Sequence, residues 1–408
     1  MAENKRPRIE NDPDELVLNR QFVMTDTGRI DKIRDLYTTY NPEVDVGALK
    51  AGGYIRAVGK MMEPVTLSLD DHSPSVLAYW ARLGMVKEFH GEDVPMSWTE
   101  YVYKTGYHWS DVTREGPQNN FKKWNSFVPV SAFRPENAGR KYPAVVALHG
   151  GFNPISIIDG WGWVQEAARR EWIVIVPSVE LDDIIEEILN EAKTLYPIDE
   201  ERVYACGFSY GGFMANLLGN KRPDIFAAVA PCGAPISNGF CDEAVGPAPQ
   251  LPFDGKPRAL QLGIYMPVIN ICGNLDGHRF PIYDFKGFFS GAATAGELVE
   301  GINSWARVNR AKEISFSDVT ALKLRDDLSA EEKNIGIPLE PDCRETIERD
   351  GLVHYIGGLK SEDGVVRVKL MCTMNMSHWP TPEMSRQAFE FFSRFSRDAR
   401  TKESVYRA

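Results

Sequence analysis

The chain reads as an α/β fold, a mostly parallel central sheet with helices on both faces. Three observations lead there. Continuous apolar runs recur between residues 144 and 371, and such runs are strands buried on both sides. Stretches with apolar residues at helical spacing separate them. A glycine-rich pentapeptide, Gly207-Phe208-Ser209-Tyr210-Gly211, joins one run to one such stretch.

Residues 1–97 read as an N-terminal extension, mainly helical. Ile30–Tyr37 has a short amphipathic pattern. Ser73-Pro74 opens a second helix, with Pro at the first helical position and Val76, Leu77, Tyr79, Trp80 and Leu83 behind it. From 98 to 408 the pattern is that of one large domain. Thr99–Thr105 and Trp124–Val130 alternate like strands. Ala144–Leu148 is then a buried strand, Trp161–Arg170 a helix, and Trp172–Val176 the next strand. Asp182–Leu195 is a helix with Ile184, Ile185, Ile188, Leu189 and Ala192 on one face. Arg202–Cys206 is a strand, and Gly211–Leu218 starts the helix after it. Phe226–Ala230, Val268–Cys272 and Val366–Met371 are further strands, and Glu383–Phe395 closes the chain as a helix. Residues from about 280 to 365 separate two strands by more than a usual connection, and read as an insertion or lid. Right-handed crossovers place the C-terminal ends of parallel strands, and the loops behind them, along one edge.

Composition excludes several classes. Of 408 residues, 43% are hydrophobic and 25% charged, which is globular and not disordered. The net charge of −11 argues against nucleic acid and anionic membrane as partners. No apolar run follows the basic residues near the N-terminus, so no signal peptide is expected, and no stretch of ~18 apolar residues predicts a membrane span. Six cysteines without a C-x-x-C pair fit reduced thiols and a cytoplasmic location. Neither H-E-x-x-H nor a phosphate-binding glycine loop occurs, so neither metal nor cofactor is expected. The N-terminal extension is compatible with a homo-oligomer and equally with packing on its own chain.

The pentapeptide matches G-x-S-x-G in the strand–turn–helix context that the motif requires. A nucleophile on so sharp a turn has strained backbone angles, and its neighbours must be nearly free of side chain. Ser209 is therefore the candidate nucleophile, at the positive end of the helix that follows. A serine needs a base. His378, in the loop after the last strand, is the best placed, with His278 and His354 kept as alternatives. His72, His90 and His108 all precede the sheet. The carboxylate that orients the imidazole is Asp276, just past a strand end, with Asp284 as its competitor. The oxyanion needs two donors. The amide of Tyr210 is one. The other comes from His149-Gly150-Gly151-Phe152, Gly151 being favoured and Phe152 next, with His149 a structural hydrogen-bonding residue. Phe152, Trp161, Trp163 and Trp379 are placed to clamp an apolar acyl or aryl group, and the tryptophans serve equally well as core.

The His-Gly-Gly loop, the serine turn and the closing Asp and His resemble the α/β-hydrolase superfamily. Tyr196 to Gly212, with its Asp199 and Arg202 lead-in, the strand at Asp224–Pro231 and the Ser377-His378-Trp379-Pro380 loop are similar to the polyhydroxybutyrate depolymerase and feruloyl esterase group. That resemblance implies a carboxylic-ester hydrolase with an acyl-serine intermediate; with neither a signal peptide nor a polymer-binding module recognised here, a small soluble ester, aromatic ones included, is the expected substrate. It carries Ser209, Asp276 and His378 over as a triad and Tyr210 and Gly151 as oxyanion donors. Gly-Phe-Ser-Tyr-Gly-Gly-Phe also looks like the corresponding turn of prolyl-oligopeptidase-type peptidases, which keeps a serine peptidase as the alternative. A non-catalytic ligand-binding scaffold is the third reading.

Overall fold

A computed structural model of the chain describes residues 107–115, 121–150, 158, 161–177, 182–234, 257–273, 295–315, 317, 327, 342–349, 352–374 and 380–408. The expected helices of residues 1–97 and the strand at 99–105 lie outside these.

Strands β1 (Tyr107–Glu115) and β2 (Phe121–Pro129) come first, then β3 (Tyr142–Leu148), helix α1 (Trp163–Ala168) and β4 (Ile173–Pro177). Helix α2 (Asp182–Leu195), β5 (Ile198–Phe208), α3 (Tyr210–Lys221) and β6 (Ala228–Cys232) follow. The chain continues through α4 (Arg258–Leu262), β7 (Val268–Gly273), α5 (Ala295–Val308), β8 (Cys343–Arg349), β9 (Leu352–Lys360) and β10 (Val366–Thr373). It ends with α6 (Pro382–Ser393) and the hairpin strands β11 (Phe395–Arg397) and β12 (Ser404–Tyr406).

Ten strands form one sheet in the order β1-β2-β4-β3-β5-β6-β7-β10-β9-β8. β4, β3, β5, β6, β7 and β10 are mutually parallel. β1 and β2 are antiparallel additions on one side, β9 and β8 on the other. This mostly parallel sheet, with the helices packed on both of its faces, is the α/β-hydrolase fold. Strands such as β3, all seven of whose residues are buried, are covered on both sides, as the crossover helices require.

Alternation along the strands separates two apolar layers. Tyr204, Cys206 and Phe208 of β5 join Trp161, Trp163 and Val164 beside α1 and Met384, Phe389 and Phe392 of α6. Val203 and Ala205 face the other way, onto Ile185, Ile188 and Leu189 of α2, Met214 and Leu218 of α3, and Ile302 and Trp305 of α5. Two buried side chains of this second layer show how its polar groups are paired. The Trp305 indole donates to Asn216 Oδ1 at 3.0 Å, and Asn309 bridges both backbone groups of Met266.

Several boundaries move from their sequence expectation. The helix read at 161–170 is shorter, the strand at 202–206 extends back to Ile198, and the strand at 226–230 sits two residues later. Within the span read as an insertion, α5 belongs to the second apolar layer, and β8 and β9 extend the sheet. The outer strand β8, Cys-Arg-Glu-Thr-Ile-Glu-Arg, carries four charged residues and has no fully buried one, a composition suited to a sheet edge.

Candidate active site

The serine turn is built by sterics. Ser209 has φ 54 and ψ −116, a left-handed backbone that L-residues adopt at an energetic cost. It caps α3, and its N–H donates to the Cys232 carbonyl at 2.8 Å, which ties the turn to the end of β6. A Cβ on Gly207 would fall on the Gly211 carbonyl. One on Gly211 would fall on the carbonyls of Leu148 and His149, at the end of β3. One on Gly212 would meet the Cys232 carbonyl at 2.6 Å. All three glycines are therefore required by approaching backbone, and β3, β5, β6 and α3 can converge under Ser209 only because they are glycines.

Tyr210 is the first residue of α3, so its amide lies at the positive end of the helix. Nδ1 of His149 lies 2.9 Å from the Gly150 carbonyl. A carbonyl only accepts, so that nitrogen carries the proton and the ring braces its own loop. The Cys206 thiol, one strand residue pair below the turn, is fully buried, and burial pushes its pKa well up. It stays a neutral thiol.

Trp161 and Trp163 are 0% and 2% exposed. Trp161 packs edge-on against Trp163 and against Phe208, with ring centroids 5.6 and 5.0 Å away. The structure places both in the core beneath the serine turn, the second of the two roles the sequence allows. Gly151, Phe152, Asp276, His278, Asp284, His378 and Trp379 lie outside the described residues, as do His72 and His90. Their strands are described. β7 ends at Gly273, three residues before Asp276, and β10 ends at Thr373, five before His378. Both are parallel to β5, with Cys232 beside Phe208, Ile271 beside Cys232 and Met371 beside Ile271, so all three strands point the same way. His108 is on the far edge strand β1, four strands from β5. His354 is on β9, 1% exposed, with Nδ1 2.8 Å from Thr373 Oγ1. Neither the Cys232 carbonyl nor the His354–Thr373 pair has a sequence signal, because each depends on which strands become neighbours. Among the described residues no group of three metal-ligating side chains occurs, and no helix is long and apolar enough to cross a membrane.

Fold and turn together define an α/β-hydrolase-fold chain with a strained serine at the end of the central strand. In comparison with known proteins, the prolyl oligopeptidase family matches residues 164–239, from α1 past the serine turn. Poly(3-hydroxyalkanoate) depolymerase C of Paucimonas lemoignei is 30% identical over 127 residues, covering 26% of this chain and 30% of that protein. Feruloyl esterase B of Piromyces equi is 29% identical over 107 residues, covering 25% of this chain and 19% of its own length. The chain thus spans a third or less of these curated relatives. A feruloyl esterase module from Clostridium thermocellum, complexed with sinapinate, superposes with a TM-score of 0.40 at 12% identity, over 74% of this chain and 92% of that one.

Proposed function

We propose that the chain is a serine hydrolase that cleaves a carboxylic ester of a small soluble substrate through an acyl-serine intermediate. Ser209 is the nucleophile, His378 the base, Asp276 the residue that orients it, and the amides of Tyr210 and Gly151 the oxyanion donors. The observation that carries this reading is the backbone of Ser209. A left-handed serine capping a helix, held by three glycines that tolerate no Cβ, is strain that serves to present a hydroxyl.

Chain lengths support the rest. β10 is three strands from β5, about 14 Å at ~4.8 Å per strand, and five extended residues reach up to about 17 Å. Asp276 follows the strand next to β10. In the reaction His378 takes the proton of Ser209 as its oxygen attacks the ester carbonyl. The amides stabilise the oxyanion, and His378 then protonates the leaving alcohol. Water, activated by the same imidazole, releases the acid. The step uses no cofactor.

The esterases among the relatives favour an ester, with an aromatic acyl group first in line. The five free thiols among the described residues support a reducing, cytoplasmic compartment. The test is Ser209→Ala assayed on p-nitrophenyl acetate, with a fluorophosphonate adduct mapped by mass spectrometry on the parent. The burst should vanish and the adduct should sit on Ser209. A variant within tenfold of parental activity would falsify the assignment. The prolyl oligopeptidase match favours a second reading, a serine peptidase. Faster turnover of aminoacyl anilides than of matched esters would select it.

A further inference from the structure

We propose that His354 is a positioning residue for the catalytic base, acting through Thr373; this rests on the assignment of His378 as that base. The two side chains are cross-strand neighbours where β9 meets the last residue of β10. They share a hydrogen bond of 2.8 Å and are 1% and 0% exposed. Thr373 is the last strand residue before the loop that carries His378, five positions on. One residue further, the Met374 N–H donates to the Val353 carbonyl at 2.8 Å. Two consecutive residues of β9 therefore hold the last two residues before that loop. On the opposite side Thr373 is in register with Gly273, the strand end from which the Asp276 loop departs.

Three strands are thus aligned at this rim, with the roots of the acid loop and the base loop side by side and His354 bracing the second from outside. His354 sits on the strand face shared with Leu352 and Ile356, which belong to the apolar layer. A titratable ring there is a demanding choice where a leucine would fill the space, because a buried polar group must be paired. The pairing it makes fixes the Thr373 side chain and, with it, the direction in which β10 ends. Small displacements of a general base weaken the transition state more than substrate binding.

The test uses the full chain. Thr373→Val removes the hydroxyl and keeps the shape, Thr373→Ser keeps the hydroxyl, and His354→Leu removes the ring. His354→Gln offers a polar partner should the leucine variant fail to fold. On p-nitrophenyl acetate, Thr373→Val and His354→Leu should each lose about 10- to 100-fold in kcat with KM within about twofold. The rate of fluorophosphonate labelling at Ser209 should fall by the same factor. Thr373→Ser should keep most of the activity, and the double variant should be no slower than the slower single one. A fall in Tm with kcat and labelling rate at parental values, while Ser209→Ala has lost its burst, overturns the proposal alone. A parental burst in Ser209→Ala overturns the triad reading and this proposal with it.

Discussion

Alanine and glycine at position 209 separate the chemistry of the serine from the strain of its backbone. Both variants lack the hydroxyl and both should be inactive, so they differ only in the Cβ. At φ 54 and ψ −116 a residue with a Cβ is strained by about 1–3 kcal/mol. Glycine releases that strain but adds conformational freedom to the unfolded chain, which offsets about 0.5–1 kcal/mol of the gain. The balance favours Ser209→Gly over Ser209→Ala by about 1–2 kcal/mol. For a chain of this size that is roughly 2–8 °C in Tm, at about 2–4 °C per kcal/mol. Thermal unfolding followed by circular dichroism at two scan rates measures it, with urea midpoints as the isothermal check. An alanine variant more stable than the glycine variant by about 0.5–1 kcal/mol, the full entropic offset, would show that no strain is stored at this turn, and the main support for a presented nucleophile would be gone.

Three further outcomes follow from the same geometry. Gly207→Ala drives a Cβ into the Gly211 carbonyl, so it should lose activity at least as fully as Ser209→Ala while also lowering Tm, where a flexible turn would leave Tm unchanged. Arg397, 1% exposed, donates to the carbonyls of Tyr265, Lys402 and Phe226 at 2.9–3.0 Å. Arg397→Met strands these acceptors, at about 1–3 kcal/mol for each that water cannot reach. Tm should drop by roughly 6 °C or more, with kcat per folded molecule unchanged, because Phe226 and Tyr265 lie before β6 and β7 at the rim opposite Ser209. A lower kcat at parental Tm would contradict this. Glu383 in the first turn of α6 is 3% exposed, and burial raises its carboxyl pKa despite Arg386 and Arg349 nearby. The native state therefore binds the proton more tightly than the unfolded chain, and stability falls as pH rises from the ordinary glutamic-acid value through the raised one. Glu383→Gln lacks this dependence, so its urea midpoint relative to the parent should climb between pH 4 and pH 7. A gap that stays constant or shrinks refutes the assignment.

Much of the fold was legible because its signals are local. Asp182–Leu195 shows its apolar face in fourteen residues, and the observed helix has those bounds. The serine turn was legible for a related reason: Gly207 answers to the backbone of Gly211 four residues on, although Gly211 and Gly212 answer to the distant ends of β3 and β6. β8 and β9 were not. Charges on one carry no strong alternation signal, Gly357 and Gly358 interrupt the other, and both become strands by pairing with a neighbour already in the sheet.

Trp161 and Trp163 show the same division at the level of single side chains. The sequence places both just after the oxyanion loop, with two roles open. Only the approach of Phe208 from β5 and of Ser385 from α6, whose hydroxyl donates to the Trp161 carbonyl at 2.7 Å, buries them. The chain alone determined the parallel strands with the helices between them and the place of a serine among glycines, since periodicity and steric allowance act over a few bonds. Tertiary structure decided which strands lie side by side, which aromatic rings vanish into the core and that residue 354 stands behind residue 373. Those relations join positions 19 to 224 residues apart, and no local preference encodes a partner so distant.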